Sequence, residues 1–171
     1  MSLDSWIRKI HGKTKKRNKF WALREKASKK GLLKYYYAYR YYRYVSRHNA
    51  YIPLSCKLDR SAVFPHGIYG VFISSGASVG KNAVIFHQVT IGSNTIKGSS
   101  SYGSPEIGEN AYLGAGAKII GKIKIGNNVR IGANCVVVQD IPDNATVVMN
   151  KPRVVVRNEP GDNAFYSYEK Q

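Results

Sequence analysis

The sequence predicts a mainly β protein, namely a parallel β-helix of six-residue repeats preceded by a short, basic, α-helical N-terminal arm. An aliphatic residue or Phe recurs at every sixth position from Ile52 to Val137, with two interruptions. Before this repeat, the chain has no proline, two glycines and a dense mixture of tyrosine and basic residues. We therefore expect three segments: the arm at 1–50, the coil at 51–149 and a polar tail at 150–171.

The arm carries most of the positive charge. Residues 1–50 contain fifteen of the 27 Lys and Arg residues but two of the ten acids, so they hold +13 of the net charge of +17. A basic segment of this kind attracts phosphate groups, whether of lipid head groups, nucleic acid or a substrate. Charge alone does not distinguish these partners.

The arm is expected to form helices at about 6–10, 18–28 and 32–47, and Gly31 is expected to end or kink the second. In the third helix, two sets of residues occupy different faces: Tyr37, Tyr41 and Tyr44 against Arg40, Arg43 and Arg47. We favour a helix that packs its tyrosine face on a neighbour and leaves its arginine face in water. The alternatives are a helix at a membrane surface and, with least support, a nucleic-acid-binding helix.

The coil follows from the repeat itself. The first positions are Ile52, Leu58, Phe64, Ile73, Val79, Ile85, Ile91, Ile107, Leu113, Ile119, Ile125, Ile131 and Val137, and Gly directly follows six of them. A period of six fits neither a helix nor a simple strand, but it suits short strands joined by tight corners. Three such sides form one coil, and stacked coils pair their backbones around an aliphatic core.

The fifth position of the repeat is small or branched, which suits the inside of a corner. These residues are Cys56, Ala62, Ala77, Ala83, Val89, Thr95, Ala111, Ala117, Ile123, Val129 and Cys135. Both cysteines of the chain are therefore predicted to be core residues without a reactive role. Their wide separation argues against a disulfide framework and favours a reducing compartment.

The composition also indicates where the chain is located. No segment reaches the about 18 apolar residues of a transmembrane helix, and the N-terminus lacks the apolar segment of a secretory signal. We expect a cytoplasmic protein whose arm could make peripheral contact with the inner face of the membrane.

The two interruptions of the repeat are candidates for function, because regular coils need no insertions. The first adds three residues between Phe64 and Ile73, and the second is a Gly- and Ser-rich loop at 93–106. His66 lies in the first interruption, and His87 follows it by 21 residues, which is one coil plus the three added residues. We expect both imidazoles on the same side of the coil, about 4.8 Å apart.

Two imidazoles this close disfavour double protonation, and a general base must be neutral near pH 7. His66 is the first candidate for this base, and His87 is a second catalytic candidate or a substrate contact. His11 and His48, both in the arm, are expected to be exposed to solvent. Two histidines are too few for a zinc site, so no metal is expected.

Residues 57–155 resemble the catalytic part of the serine acetyltransferases and their relatives, which are left-handed β-helix acyltransferases. The resemblance is carried by residues 66–73, 89–92, 107–108, 114–119 and 140–142. It implies a left-handed parallel β-helix, a homotrimer, and direct transfer of an acetyl group from acetyl-CoA to an acceptor hydroxyl. It also implies that His66 deprotonates this hydroxyl.

The resemblance further implies that CoA lies along the C-terminal coils, between subunits. The matching positions for its pantetheine arm are the small residues Ser93, Ala115 and Ala133. The candidates to contact its phosphates are the cations Lys118, Lys151 and Arg153.

Three departures from the family pattern affect the acceptor. Tyr51 stands where serine acetyltransferases have an Asp, Ser104 stands where they have a second His, and the arm is much shorter than their helical domain. The acid that holds the serine amine is therefore missing. The pattern is closer to relatives that acetylate capsule, exopolysaccharide or lipopolysaccharide sugars, so we predict a saccharide hydroxyl as acceptor, which could be lipid-linked.

Two alternatives stay open. One is a serine O-acetyltransferase. The other, from a different class, is a non-catalytic β-helix scaffold whose basic arm docks on a membrane or nucleic acid. Under the main prediction no nucleic-acid partner is expected, and His66 is the residue that separates the enzymes from the scaffold.

Overall fold

The structure is a computed structural model that describes residues 13–160 and 163–164. The predicted helix at 6–10 and His11 lie outside the described residues.

The described part of the arm forms two helices, α1 (Lys13–Ser28) and α2 (Leu33–Ser46). Gly31, between them, has a φ of 110°, which favours glycine and lets the chain reverse. The helices predicted at 18–28 and 32–47 are therefore confirmed, although α1 begins earlier than predicted.

The two faces of α2 are arranged as predicted. Tyr41 is buried, and Tyr37 and Tyr44 are partly buried against the core. The arginines on the other face are all exposed: Arg40, Arg43 and Arg47.

Twelve short strands follow within the described residues: β1 (Lys57–Leu58), β2 (Phe72–Ile73), β3 (Ser78–Val79), β4 (Val84–Ile85), β5 (Thr90–Gly92), β6 (Glu106–Ile107), β7 (Tyr112–Leu113), β8 (Lys118–Ile120), β9 (Lys124–Ile125), β10 (Arg130–Ile131), β11 (Val136–Val137) and β12 (Thr146–Val147). They form three parallel sheets of four strands each. Face 1 consists of β2, β5, β8 and β11; face 2 of β1, β3, β6 and β9; and face 3 of β4, β7, β10 and β12. This is the predicted stack of triangular coils.

The chain turns at three corners in each coil. The histidine corner lies between faces 3 and 1 and comprises residues 65–70, 86–88, 114–116 and 132–134. The asparagine corner lies between faces 2 and 3, and the loop corner, which carries residues 93–105, lies between faces 1 and 2.

The core is the stack of inward-facing residues. Twelve of the thirteen first-position residues are buried, and the other, Leu58, is partly buried. Cys56 and Cys135 are buried free thiols, as predicted.

One predicted corner residue is wrong. Thr95 is exposed, because the chain leaves the coil after Gly92. Pro105 takes its place: it is buried directly before β6, and its carbonyl accepts the amide hydrogen of Ser78 at 3.1 Å.

The asparagine corner shows why the repeat needs Asn and Gly. Four asparagines adopt left-handed φ values of 55–61° and stack in one column: Asn82, Asn110, Asn128 and Asn144. Their side-chain amides form a ladder with N···O distances of 2.9–3.2 Å. At Gly108, a Cβ atom would lie 2.7 Å from the carbonyl carbon of Gly126 in the next coil, so no larger residue fits.

The two helices share one hydrophobic core with the coils. The Phe20 ring lies 5.5 Å from that of Phe64 and 5.8 Å from that of Tyr41. Since Phe64 directly precedes the first interruption of the repeat, the helices pack beside the segment that carries His66.

Arg24 fastens α1 to the first coil. Its buried guanidinium donates to the Tyr41 hydroxyl at 2.9 Å and to the carbonyls of Pro53 at 3.0 Å and Cys56 at 2.7 Å. The Tyr41 hydroxyl in turn donates to the Ile52 carbonyl at 2.6 Å. Burial raises the pKa of the Cys56 thiol, an effect that Arg24 opposes, so Arg24 is the charged partner of this cluster.

We predict that Arg24→Ala lowers the free energy of unfolding by about 2–3 kcal/mol, because two buried carbonyl groups lose their donor. Urea unfolding followed by circular dichroism measures this change. The matched control is Arg60→Ala, since Arg60 pairs with Glu25 at the surface, at 3.2 Å. An exposed pair contributes about 0–1 kcal/mol, and equal losses in the two variants would show that Arg24 does not stabilise the cluster.

Candidate functional site

The histidine corner aligns residues from successive coils in one column. The Gln88 amide donates to the Tyr69 carbonyl at 2.9 Å, and the Gly116 amide donates to the His87 carbonyl at 3.1 Å. The Asn134 amide donates to the Ala115 carbonyl at 2.8 Å. Backbone pairing therefore fixes His87, Ala115 and Ala133 one above another.

His66 and His87 meet as the 21-residue spacing predicts. Their Nδ1 atoms lie 3.0 Å apart, which is hydrogen-bond distance, and their ring centroids are 5.0 Å apart. His66 is exposed and His87 is partly buried. The Phe86 and His66 rings pack in a T-shaped arrangement, with their centroids 5.1 Å apart and their planes at 89°. The pair is thus open to a substrate on one side and held in orientation on the other.

The end of α2 holds the insertion that carries His66. The Gly70 amide donates to the His48 carbonyl at 3.0 Å. The His48 ring lies between the rings of Tyr44 and Tyr69, at centroid distances of 4.3 and 4.7 Å. The prediction that His48 is exposed is therefore wrong: it is partly buried, because the insertion brings Tyr69 over it. Sequence reasoning missed Phe86 as a neighbour of His66 and Tyr69 as a neighbour of His48, although Phe86 directly precedes His87 and Tyr69 lies in the insertion.

A shallow groove of about 500 Å³ runs along face 1 beside the histidine corner. Its walls include Phe72, Gln88, Lys118 and Val136. The Lys118 ammonium donates to the Gln88 carbonyl at 2.8 Å. Because Gln88 directly follows His87 in the chain, this contact places a cation close to His87.

The structure brings some of the predicted CoA residues together and separates others. Ala115 and Ala133 lie in the column of His87, and Lys118 lies beside it. Ser93 lies at the loop corner, where its hydroxyl is 2.7 Å from that of Ser104. The two remaining cations are exposed in the segment after β12: Lys151 and Arg153.

Carboxylates are absent from the histidine corner among the described residues. The five acids of the coil lie on face 2 or at the asparagine corner: Asp59, Glu106, Glu109, Asp140 and Asp143. Tyr51, at the position where the family has an Asp, lies on face 1, where it pairs with Phe72 and is exposed. Within the part of the chain that the structure describes, no group of three or more His, Cys, Asp or Glu side chains is placed to hold a metal ion.

A comparison with protein families identifies the repeat of the coil. Residues 104–139 match the family described as bacterial transferase hexapeptide, six repeats. This match covers the regular coils from the end of the loop to β11, and it confirms the predicted hexapeptide repeat.

The particular relatives are acetyltransferases. The chain is 41% identical over 98 residues to the serine acetyltransferase of Mycobacterium tuberculosis, covering 57% of this chain and 42% of the relative. It is 40% identical over 105 residues to an Escherichia coli K12 protein assigned to colanic acid biosynthesis as acetyltransferase WcaB, covering 61% and 62%. The chain spans about half the length of the curated relatives it matches, 42–57% for the first three.

Solved structures of serine acetyltransferases also match the chain. Serine acetyltransferase isoform 3 of Entamoeba histolytica, in complex with cysteine, matches with a TM-score of 0.62 and 31% identity over 72% of this chain and 43% of that one. The Neisseria gonorrhoeae serine acetyltransferase in complex with serine matches with a TM-score of 0.55 and 32% identity, covering 67% and 48%. The resemblance to the serine acetyltransferases and the left-handed parallel β-helix fold are thus confirmed.

Proposed function

We propose that this chain is an acetyl-CoA-dependent O-acetyltransferase in which His66 is the general base. The observation that carries the proposal is the 3.0 Å contact between the Nδ1 atoms of His66 and His87 at an exposed corner. The relatives described above are named acetyltransferases, which supports an enzyme over a non-catalytic scaffold.

The contact between the two rings suits the tautomer of His66 that a general base requires. If His66 donates its Nδ1 hydrogen to Nδ1 of His87, then Nε2 of His66 is unprotonated and can accept the proton of an acceptor hydroxyl. The positive charge that develops on His66 is then stabilised by the same hydrogen bond. In this scheme His66 is catalytic, and His87 takes the orienting role for which the family uses an Asp.

The reaction needs no covalent enzyme intermediate. The acceptor oxygen attacks the thioester carbonyl as His66 removes its proton, and the carbon–sulfur bond breaks. The CoA sulfur leaves as a thiolate and recovers the proton from His66. Catalysis then consists of general-base assistance and the positioning of two substrates.

Acetyl-CoA is proposed to lie along the histidine corner. The small residues Ala115 and Ala133 leave room for a pantetheine arm directly next to His87 in the column, and Lys118 offers a cation beside it. Ser93, Lys151 and Arg153 stay candidates for contacts across a subunit interface, since Ser93 lies at a different corner of its own chain.

For the acceptor, the comparisons favour L-serine. Serine acetyltransferases occur among both the curated relatives and the solved structures, and two of those structures are complexes with serine. Similarity to known proteins therefore supports the hypothesis of a serine acceptor better than the hypothesis of a saccharide acceptor.

The composition of the site favours a saccharide hydroxyl. Serine carries an ammonium group, and the described part of this chain places no carboxylate at the histidine corner to bind it. A neutral hydroxyl of a sugar needs no such partner. The WcaB relative, of which the chain covers 62%, supports this candidate as well.

Thiol release from acetyl-CoA, measured with L-serine, nucleotide sugars and extracted bacterial polysaccharide, decides between the two acceptors. We expect release that depends on a saccharide and that falls by about 10²–10⁴-fold in His66→Ala. His87→Ala should lose less activity, and His87→Gln should regain part of it, because a glutamine oxygen can accept the His66 hydrogen bond.

Two controls make this outcome interpretable. Gln139→Ala, an exposed change at the loop corner, should leave kcat unaltered. Calorimetric titration should show that His66→Ala still binds CoA. Release with serine alone would establish the serine reading, and full activity in His66→Ala would refute the catalytic assignment.

A homotrimer is proposed because the faces on either side of the histidine corner expose apolar side chains. Phe72 and Val136 on face 1 are 43% and 66% exposed, and Tyr112 on face 3 is 43% exposed. Sedimentation velocity should give a mass of three times 19.1 kDa, whereas a monomer at micromolar concentration would contradict the proposal.

A peripheral membrane contact is proposed at the turn between α1 and α2. Leu32 and Leu33 are 88% and 69% exposed, next to Lys29, Lys30 and Lys34. Apolar side chains flanked by cations suit an anionic bilayer surface. No described helix is long and apolar enough to cross a membrane.

Flotation with phosphatidylglycerol-containing vesicles tests this contact. We expect salt-sensitive binding that decreases in the variant Leu32→Ser/Leu33→Ser. The control is Ile96→Ser, which removes an equally exposed apolar residue from the loop. Equal binding by all three proteins, or none by the wild type, would rule the contact out.

A further inference from the structure

A second cavity lies in the arm, away from the histidine pair. It is a groove of about 410 Å³ between α1 and α2. We call it the arm groove and define it by Lys19, Tyr36, Tyr39, Arg40, Arg43 and Arg47. All four of its cationic residues are exposed.

Among the described residues, no ion pair balances the positive charge of the arm groove. Among the side chains of residues 19–160 and 163–164, the two ion pairs lie elsewhere, at Arg60 with Glu25 and at Lys81 with Glu109. From residue 26 to residue 58 the sequence contains no Asp or Glu. Four cations at one cavity without a carboxylate repel one another, and an anion would relieve this repulsion.

Two of the guanidinium groups are held in place by tyrosines. Arg40 donates to the Tyr36 hydroxyl at 2.9 Å, and Arg43 donates to the Tyr39 hydroxyl at 3.3 Å, each four residues along α2. A guanidinium has five N–H donors, so each of these arginines keeps donors for a ligand. Paired guanidinium groups with restricted motion suit the bidentate binding of phosphate.

The arm groove adjoins the histidine corner through continuous contacts. Arg47 is followed by His48, whose ring packs on Tyr69 at 4.7 Å. Tyr69 belongs to the insertion that begins with His66, and the His48 carbonyl accepts the neighbouring Gly70 amide hydrogen. Direct contacts therefore connect the arm groove to the insertion that carries the base.

We propose that the arm groove binds the phosphate groups of the acceptor, which is then a sugar linked to a diphosphate. The inference rests on the saccharide form of the proposed function and names its substrate class. The diphosphate occupies the arm groove, and the sugar extends along the insertion towards His66. A nucleotide diphosphate and a lipid diphosphate supply the same chemistry, so the experiment includes both.

The first measurement is binding of inorganic pyrophosphate to the full chain by calorimetric titration. We expect the double variant Arg40→Gln/Arg43→Gln to bind about tenfold or more weakly, since two charge-assisted contacts are lost. The matched control, Lys122→Gln/Lys124→Gln, removes the same charge from exposed positions of the coil and should stay within about twofold of the wild type. Equal losses in both variants, or no binding by the wild type, would refute the site.

The second measurement is acetyl transfer to one sugar presented as the free sugar, as a nucleotide diphosphate sugar and as a polyprenyl diphosphate sugar in detergent. We expect Arg40→Gln/Arg43→Gln to raise KM for a diphosphate-linked form while leaving kcat and the KM for acetyl-CoA unchanged. The form with the lower KM in the wild type identifies the source. A KM that is the same for free and linked sugars would refute the inference.

Failure of the two proposals can be told apart. Pyrophosphate binding does not depend on acetyl transfer, so it can persist in a protein that acetylates none of the acceptors, in which case only the proposed function fails. Acetylation of a free sugar that is insensitive to the groove variant would instead retain the function and remove the groove from it.

Discussion

The parallel pairing of successive coils is the constraint on which the rest of the structure depends. Each strand is hydrogen-bonded to the strand one coil away, in a register that places Ile73, Ile91 and Ile119 in one inward stack. A slip of one residue would turn these side chains outward and carry every corner residue to another position. The register of the aliphatic core therefore fixes the position of His87, and the contacts of the insertion with α2 and Phe86 bring His66 to it.

This dependence explains why the fold and the histidine pair could be predicted from the sequence. A period of six, held over the whole coil, determines which residues face inward and how far apart equivalent positions lie. The two interruptions shift the phase, and only the count across the first was unambiguous. In the second, the loop displaced Thr95 from the corner and left Pro105 there, which the period alone could not indicate.

The sequence of the arm predicts less of its structure than the six-residue period predicts of the coil. Its tyrosines and arginines separate into two faces of α2, but such a pattern does not name the surface on which a face packs. The position of His48 against Tyr69, and the donation of Arg24 to the carbonyls of the first coil, join residues 21 to 32 positions apart in segments that share no repeat. These contacts determine the environment of the histidine corner, and they could be identified only from the structure.

The distribution of charge links the arm to the site. The acids of the coil all lie on face 2 or at the asparagine corner, whereas Lys118 lies beside the histidine corner and the arm groove holds four cations. These cations, without a carboxylate at the histidine corner among the described residues, are the basis for proposing an anionic acceptor over an ammonium-bearing one. For the proposed function, the described residues supply cations that suit a phosphate-linked sugar, whereas they place no acid at the histidine corner for the ammonium group of serine.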